Sequence, residues 1–407
     1  MSVDPLQTLD PALGLVTESK VYLPNEAGLW RTVATLANSG PANAGAANSG
    51  FASAVGAFDV RRRGSLVRAA GEAVERFALV PSRTDAAHLL AADQPGNRMD
   101  FVTAGLGRAS ALAYEVPWYR SVDLLTGQES VVPAPVVDYQ AGAAAAGPWE
   151  RFFDPSPNGA ASGPSRAFAQ ISALAEVIER DAFLSAWYRL EPLQKAEFGE
   201  LPDSATGLAL KVLAGTARAA RVSFTLAFVR PEAEAPLLTA VCTVIGAAGA
   251  APFGAVGLKA AADPAAALLG ALQEGLQIRE LFLSRQPTDF HPGDSVTDDS
   301  TRADFWSTAP AVAALRDWTQ TFRTLPMPDE RPVPDAGGLV KYLAGRQITS
   351  HWVDLTHRLP VAVRDLGWET GKAVCPGAIP LTMDESKGLS LLRPGTPRSN
   401  QLPHPLI

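Results

Sequence analysis

The 407-residue chain is long enough for two average domains, or for one large domain with internal duplication, and its 47% hydrophobic and 19% charged residues are ordinary globular composition. A net charge of -7 and a pI near 5.4 argue against a general nucleic-acid or anionic-membrane binder. No apolar run approaches the roughly 20 residues of a membrane span, and the N-terminus MSVDPLQTLDPALG has no basic region followed by an apolar core, so a cytoplasmic protein is expected.

Residues 1–35 mix short extended pieces with turns. The stretch 39–56, SGPANAGAANSGFASAVG, reads as a flexible loop or as small-residue backbone packed close to a ligand. Arg61, Arg62 and Arg63 follow, either solvated or, beside a helix N-terminus, available to phosphate. Residues 66–80, LVRAAGEAVERFALV, read as a helix carrying Glu72, Glu75 and Arg76. Between 101 and 140 the runs VPWYRSVDLL and ESVVPAPVVDY, broken by turn residues, read as strands.

The stretch 158–188 repeats the acidic pattern 104 positions later. Ser162 is expected to cap a helix with Pro164 in its first position. Ile171, Leu174, Ala175, Ile178 and Ala182 fall on one apolar stripe, and Glu176, Glu179 and Arg180 on another arc. In the earlier helix Val67, Ala70, Gly71, Val74 and Ala78 take the matching apolar phases. Two carboxylates on adjacent turns beside an arginine suit divalent cations and a polyphosphate, though a solvated helix face also carries such residues. Two copies in one phase are better explained as paired elements facing a shared cleft.

Farther on, Val222–Val229, Leu237–Ile245 and Phe253–Ala260 read as strands. Asp263-Pro264 opens a third helix, in which Glu274 and Gln277 share a face and Arg279 lies about 140° from Glu274. Residues 286–338 read as a surface excursion with a Trp-bearing helical piece near 303–322. His351–Leu355 and Pro360–Asp365 read as late strands. Beyond Pro376-Gly377 the Pro-, Ser- and Arg-rich tail leaves no room for another helix. Cys242 and Cys375 fit no zinc spacing and read as reduced structural thiols, and the five histidines form no metal-ligand cluster.

The helices with GEAVER and AEVIER, the third helix with QEGLQIR, the late stretch VDLTHRLPVAVRDLGWETGKAVCPGAIPL and the ending PHPLI together resemble the YcaO family, in its azoline-forming cyclodehydratase branch. The resemblance spans roughly residue 50 to the end. It implies a mixed α/β (α+β) fold of internally duplicated helix-plus-sheet units enclosing a nucleotide cleft. It divides the chain into an N-terminal segment (1–50), a YcaO-like domain (51–385) and a Pro-rich C-terminal tail (386–407).

The resemblance also implies ATP- and magnesium-dependent cyclodehydration of Cys, Ser or Thr in a ribosomal precursor peptide to azolines. Glu72, Glu75, Glu176 and Glu179 would hold magnesium, and Arg76 and Arg180 the phosphates. Glu274, Gln277 and Arg279 would complete the nucleotide side, and Pro403 and Pro405 of the tail would support catalysis. The tail's bland alternative is a disordered end. No leader-peptide-binding domain is visible, so a partner protein that captures the precursor is expected; neither nucleic acid nor membrane is, and homo-oligomerisation is left open.

Departures from the family pattern keep two other readings in play. The Gly-Lys-Gly before the first helix is replaced by Ala57-Phe58-Asp59, Arg68 stands where a serine is common, and Ala161, Pro164 and Phe168 change the second loop. Those readings are a degenerate scaffold or regulatory subunit without ATP chemistry, and a thioamide-forming enzyme of the same fold.

Overall fold

A computed structural model describes residues 3–38, 54–82, 85, 88–90, 97–139, 147–197, 203–249, 251–286, 288–291, 293–389 and 398–407. The Asp4 carboxylate caps a one-turn helix, α1 (Pro5–Thr8). β1 (Val16–Tyr22) pairs antiparallel with β2 (Trp30–Leu36), and β2 with β3 (Ala54–Asp59). Burial alternates along β2, as on a sheet with one covered face. The cover is α2 (Arg62–Ala78), which buries Leu66, Ala69, Ala70, Ala73, Val74 and Ala78. β1 and β2, from the segment 1–50, therefore share a sheet and a core with the start of the next region.

The chain continues through β4 (Leu89–Leu90), β5 (Trp118–Asp123), β6 (Glu129–Pro133), α3 (Ala134–Val137), β7 (Ala160–Gly163) and α4 (Arg166–Arg189). Then come β8 (Gln194–Lys195), α5 (Ala205–Ala219), β9 (Phe224–Phe228), β10 (Leu238–Ala248), β11 (Ala251–Ala261) and α6 (Pro264–Ser284). The last elements are α7 (Asp299–Phe305), α8 (Ala309–Gln320), β12 (Arg323–Thr324), α9 (Ala336–Gly345), β13 (His351–Asp354), α10 (Val361–Asp365) and β14 (Glu369–Val374).

Among the described residues the other strands form two further sheets, ordered β4-β5-β13-β14-β7 with β6 on β5, and β11-β10-β9-β8-β12. α4 lies between them: Leu174 and Ile178 meet Ala161 of β7 and Ala373 of β14, and also Ala260 of β11. α6 packs on β10 and β11 so closely that a Cβ on Gly257 would stand 2.1 Å from Gly275 N.

Several sequence expectations change. Ala160–Gly163 pairs with β14, so Ser162 belongs to a strand, and Ser165 caps α4 by accepting from Phe168 N–H. Val67 is exposed, because the core side of α2 is set by Leu66, Ala69 and Ala73. Pro360–Asp365 is a turn of helix, and the run 129–139 is a strand only to Pro133. The segment 286–338 is no surface excursion: α7 and α8 bury Trp306, Leu315 and Trp318 in the largest core. Cys242 is buried beneath α6, and burial pushes the Cys375 thiol up to about 12. Most of the Ala/Gly/Asn/Ser stretch lies outside the described residues.

Candidate active site

Three strand-to-helix units carry the acidic side chains: β3 into α2, β7 into α4, and β11 into α6. The first two repeat one charged pair. Arg76 Nε donates to Glu72 Oε1 at 2.8 Å, and Arg180 Nη1 lies 3.2 Å from Glu176 Oε1, each pair one helical turn apart.

Backbone donors from neighbouring units hold the carboxylates. Gly159 N–H donates to Glu176 Oε1 at 3.2 Å, and Ala260 N–H of β11 donates to Glu179. Leu258 N–H donates to Glu274 Oε2 at 2.6 Å. Two further bonds lock the units together: Ser162 Oγ to Gly71 O at 2.8 Å, and Gln277 Nε2 to Gly56 O at 3.1 Å.

The electrostatics show which faces meet. Burial, then the carboxylates of Glu72 and Glu176, raises Glu75 well above the ordinary glutamate range. Burial also raises Glu179, with Lys259 opposing and Glu176 adding. Glu274 is pushed up to about 7 by burial and then by Glu179. Like charges act on one another this way only across short gaps of low dielectric. Glu75 of α2 thus senses Glu176 of α4, and Glu179 of α4 senses Glu274 of α6. Carboxylates of three helices therefore lie close enough to act on one another in sequence from α2 to α6.

Among the described residues no three His, Cys, Asp or Glu side chains could enclose a metal ion by themselves. Magnesium asks for less: it keeps several waters and takes one or two carboxylates, the rest coming from substrate phosphates. The fit to phosphate has its own sign. Arg180 Nη1 is buried and meets Glu176 Oε1 as an ion pair without hydrogen-bond geometry, which leaves it donor capacity for a phosphate oxygen. A magnesium–polyphosphate would satisfy both requirements.

The other residues singled out from sequence are tied into the surrounding fold. Arg279 pairs with Glu280 at 2.7 Å and with Glu26 of the turn before β2. The tail docks: Ser399 and Asn400 N–H donate to Tyr188 O of α4, Pro405 is buried, and Pro403 is half-buried. His404, beside Pro403 and Pro405, is buried, and burial, Arg302 and then Arg180 are among the causes that hold its imidazole well below the usual range.

Sequence reading missed Asp299 of α7. Burial raises its carboxyl, and Arg76 and Arg180 both act to lower it. It also missed Arg358, which binds Asp85 and Asp138; the residue after Asp138, Tyr139, has its ring 5.8 Å from the Arg76 guanidinium. No periodicity marks either residue; both are brought in by long-range packing.

A family model described as YcaO cyclodehydratase, ATP- and Mg2+-binding, matches residues 60–379. The chain belongs to the YcaO family. YcaO dependence on ATP and magnesium, and YcaO peptide cyclodehydration, therefore extend to it. Among solved structures, YcaO from Methanopyrus kandleri bound with AMPPCP and Mg2+ is 18% identical, with a TM-score of 0.65 over 97% of this chain and 96% of that one. A heterocyclase in complex with substrate and cofactor is 15% identical, TM-score 0.68, covering 99% of this chain and 57% of that one. The Escherichia coli microcin synthetase McbBCD complex is 14% identical, TM-score 0.58, covering 88% and 87%. At these identities the likeness shows the YcaO fold. No curated protein matches the chain.

Proposed function

We propose that the cleft between α2, α4 and α6 holds magnesium and ATP for cyclodehydration of a precursor peptide, with the roles divided as follows. Glu72, Glu75, Glu176 and Glu179 supply oxygen ligands to magnesium, and Arg76 and Arg180 neutralise phosphate oxygens. Glu274 lines the nucleotide side, while Gln277 and Arg279 brace it through Gly56 and Glu26. When bound, magnesium and ATP supply the phosphoryl group that turns the amide oxygen into a leaving phosphate. The protein's own part is positioning and charge neutralisation, which carry most of the work in phosphoryl transfer. Pro403 and Pro405 keep the tail against α4, beside the cleft.

The observation that carries this reading is the influence of Glu176 on buried Glu75 across two helices. A scaffold without ATP chemistry would have no need of buried carboxylates with raised affinity for protons, since each costs stability when ionised. The substrate is a Cys-, Ser- or Thr-containing precursor peptide. A separate leader-binding protein presents it, as suits a family in which the E. coli microcin synthetase is a multi-subunit complex also known with pro-MccB17 bound. The test is phosphate release with peptide, partner and magnesium, each omitted in turn, alongside peptide mass. Release that needs both peptide and magnesium, with loss of water from the peptide, supports the reading; no release with any partner overturns it.

A further inference from the structure

Behind Glu176 lies a cavity of about 70 Å³ with Lys372, Asp154, Ser156, Asn158, Val177 and Thr382 on its walls. Glu176 and Val177 are consecutive on α4, and Asn158 precedes the glycine whose N–H holds Glu176, so the cavity backs directly onto the acidic cleft. Two of its polar atoms, Asn158 Oδ1 and Thr382 Oγ1, are buried without a hydrogen-bond partner. Buried polar atoms are rarely left unpaired in a finished site. A polar group of a ligand would complete them.

Lys372 projects from β14 and is buried. Its Nζ donates to Ser156 O at 2.6 Å and to Val137 O at 3.2 Å, and has no third acceptor among the described residues. A neutral amine has two N–H bonds and one lone pair. With both N–H groups on carbonyls, the lone pair is what remains for a ligand.

We propose that this cavity receives the reacting Cys, Ser or Thr side chain of the peptide and that Lys372 takes its proton. This rests on the cyclodehydration reading above. As the S–H or O–H bond breaks, its proton passes to the Lys372 lone pair, and the sulfur or oxygen bonds to the neighbouring amide carbon. The C=O π pair moves onto the amide oxygen, which takes the γ-phosphoryl group of ATP as ADP leaves. The amide nitrogen lone pair then forms C=N and expels phosphate, and the N–H proton leaves to solvent.

The surroundings keep the amine available. Burial lowers Lys372 to about 7, against the raising effects of Asp138, Glu176 and Glu75, with Arg76 lowering it further. Asp154, across the cavity, is pushed up to about 6 by burial, against N–H bonds from Met383 and Asp384. A base near the working pH is what proton transfer from a thiol or hydroxyl requires.

The test compares Lys372→Met and Lys372→Arg with the wild type, using precursor peptide, partner protein and saturating magnesium-ATP. Arginine keeps donors for Ser156 O and Val137 O but cannot give up its proton. Both variants are expected to lose ring formation by about 10²-fold or more, with magnesium-ATP affinity unchanged in Lys372→Met, which like the neutral amine carries no charge. In Lys372→Ala, added primary amines restore ring formation in proportion to their basicity. Activity restored by Lys372→Arg, or kept by Lys372→Met, overturns the proposal and leaves the cyclodehydration reading standing. A wild type that forms no ring and releases no phosphate overturns that reading itself. Independently of any variant, peptide at ten times its dissociation constant slows reductive methylation of wild-type Lys372 about tenfold. Equal labelling with and without peptide overturns the proposal.

Discussion

Arg302 Nη1 donates to the His404 backbone carbonyl across 3.0 Å, and both residues are buried. The same guanidinium reaches Thr382 O at 2.6 Å, Met383 O at 3.1 Å and the Glu385 carboxylate at 3.3 Å. Trp306 Nε1 adds a second donor to His404 O at 3.1 Å. One side chain of α7 thus ties the C-terminal tail to the segment after the Pro376-Gly377 turn. Replacing Arg302 with Met strands Met383 O and the Glu385 carboxylate, while His404 O keeps Trp306 and Thr382 O keeps the His404 ring, so it is expected to cost about 3–5 kcal/mol. Denaturant unfolding checks this; a loss under about 1 kcal/mol would remove Arg302 as the anchor of the tail.

Arg180 offers a different readout. Its Nη1 meets Glu176 as an ion pair without hydrogen-bond geometry, so Arg180→Ala is read beside a thermal melt that registers the loss of that pair. A hydrogen bond to a charged group contributes about 1.5–3 kcal/mol, so ATP affinity should fall about 10- to 150-fold. Calorimetric titration with magnesium-ATP measures it, and unchanged affinity would place the phosphates elsewhere.

Binding should also be linked to protons. Glu75 and Glu179 have raised proton affinities, and Glu274 titrates near 7. A magnesium ligand must be ionised, so the metal competes with protons that Glu75 and Glu179 bind more readily than an ordinary glutamate. Protons are therefore released on binding, and affinity falls as pH drops. Titrations in buffers of differing ionisation enthalpy count the protons; none released, or affinity improving in acid, contradicts the assignment.

Gly159 has φ +78, and a Cβ there would stand 2.3 Å from Ala373 O. Gly159→Ala must push the loop from β14, a strain of about 1–3 kcal/mol or more, and carry its N–H away from Glu176. We expect a lower melting temperature together with weaker magnesium-dependent ATP binding. Normal binding in a folded variant would show that this N–H is dispensable.

Much of this architecture is legible in the primary structure where local chemistry sets it. The α6 start at Asp263-Pro264, the strands 224–228 and 238–248, and the twin E-x-x-E-R arcs are visible in cap residues and periodicity. Less legible were the elements whose character depends on partners. Ala160–Gly163 became a strand only because β14 lies beside it, and Pro360–Asp365 a helix because no strand pairs with it. In the region 286–338 the helical piece near 303–322 was visible but its burial was not, since Trp306, Trp318 and Arg302 are buried by contacts from far along the chain.

By itself the sequence determined the residue types of the site and their phase on each helix, because 3.6 residues per turn places Glu72, Glu75 and Arg76, or Glu176, Glu179 and Arg180, on one arc in any context. Tertiary structure alone decided that Glu75 lies near Glu176 and Glu179 near Glu274, that Asp299 lies near Arg76 and Arg180, and that Lys372 lines a cavity. Sheet register and helix packing act between residues hundreds of positions apart, and no local pattern carries that free energy.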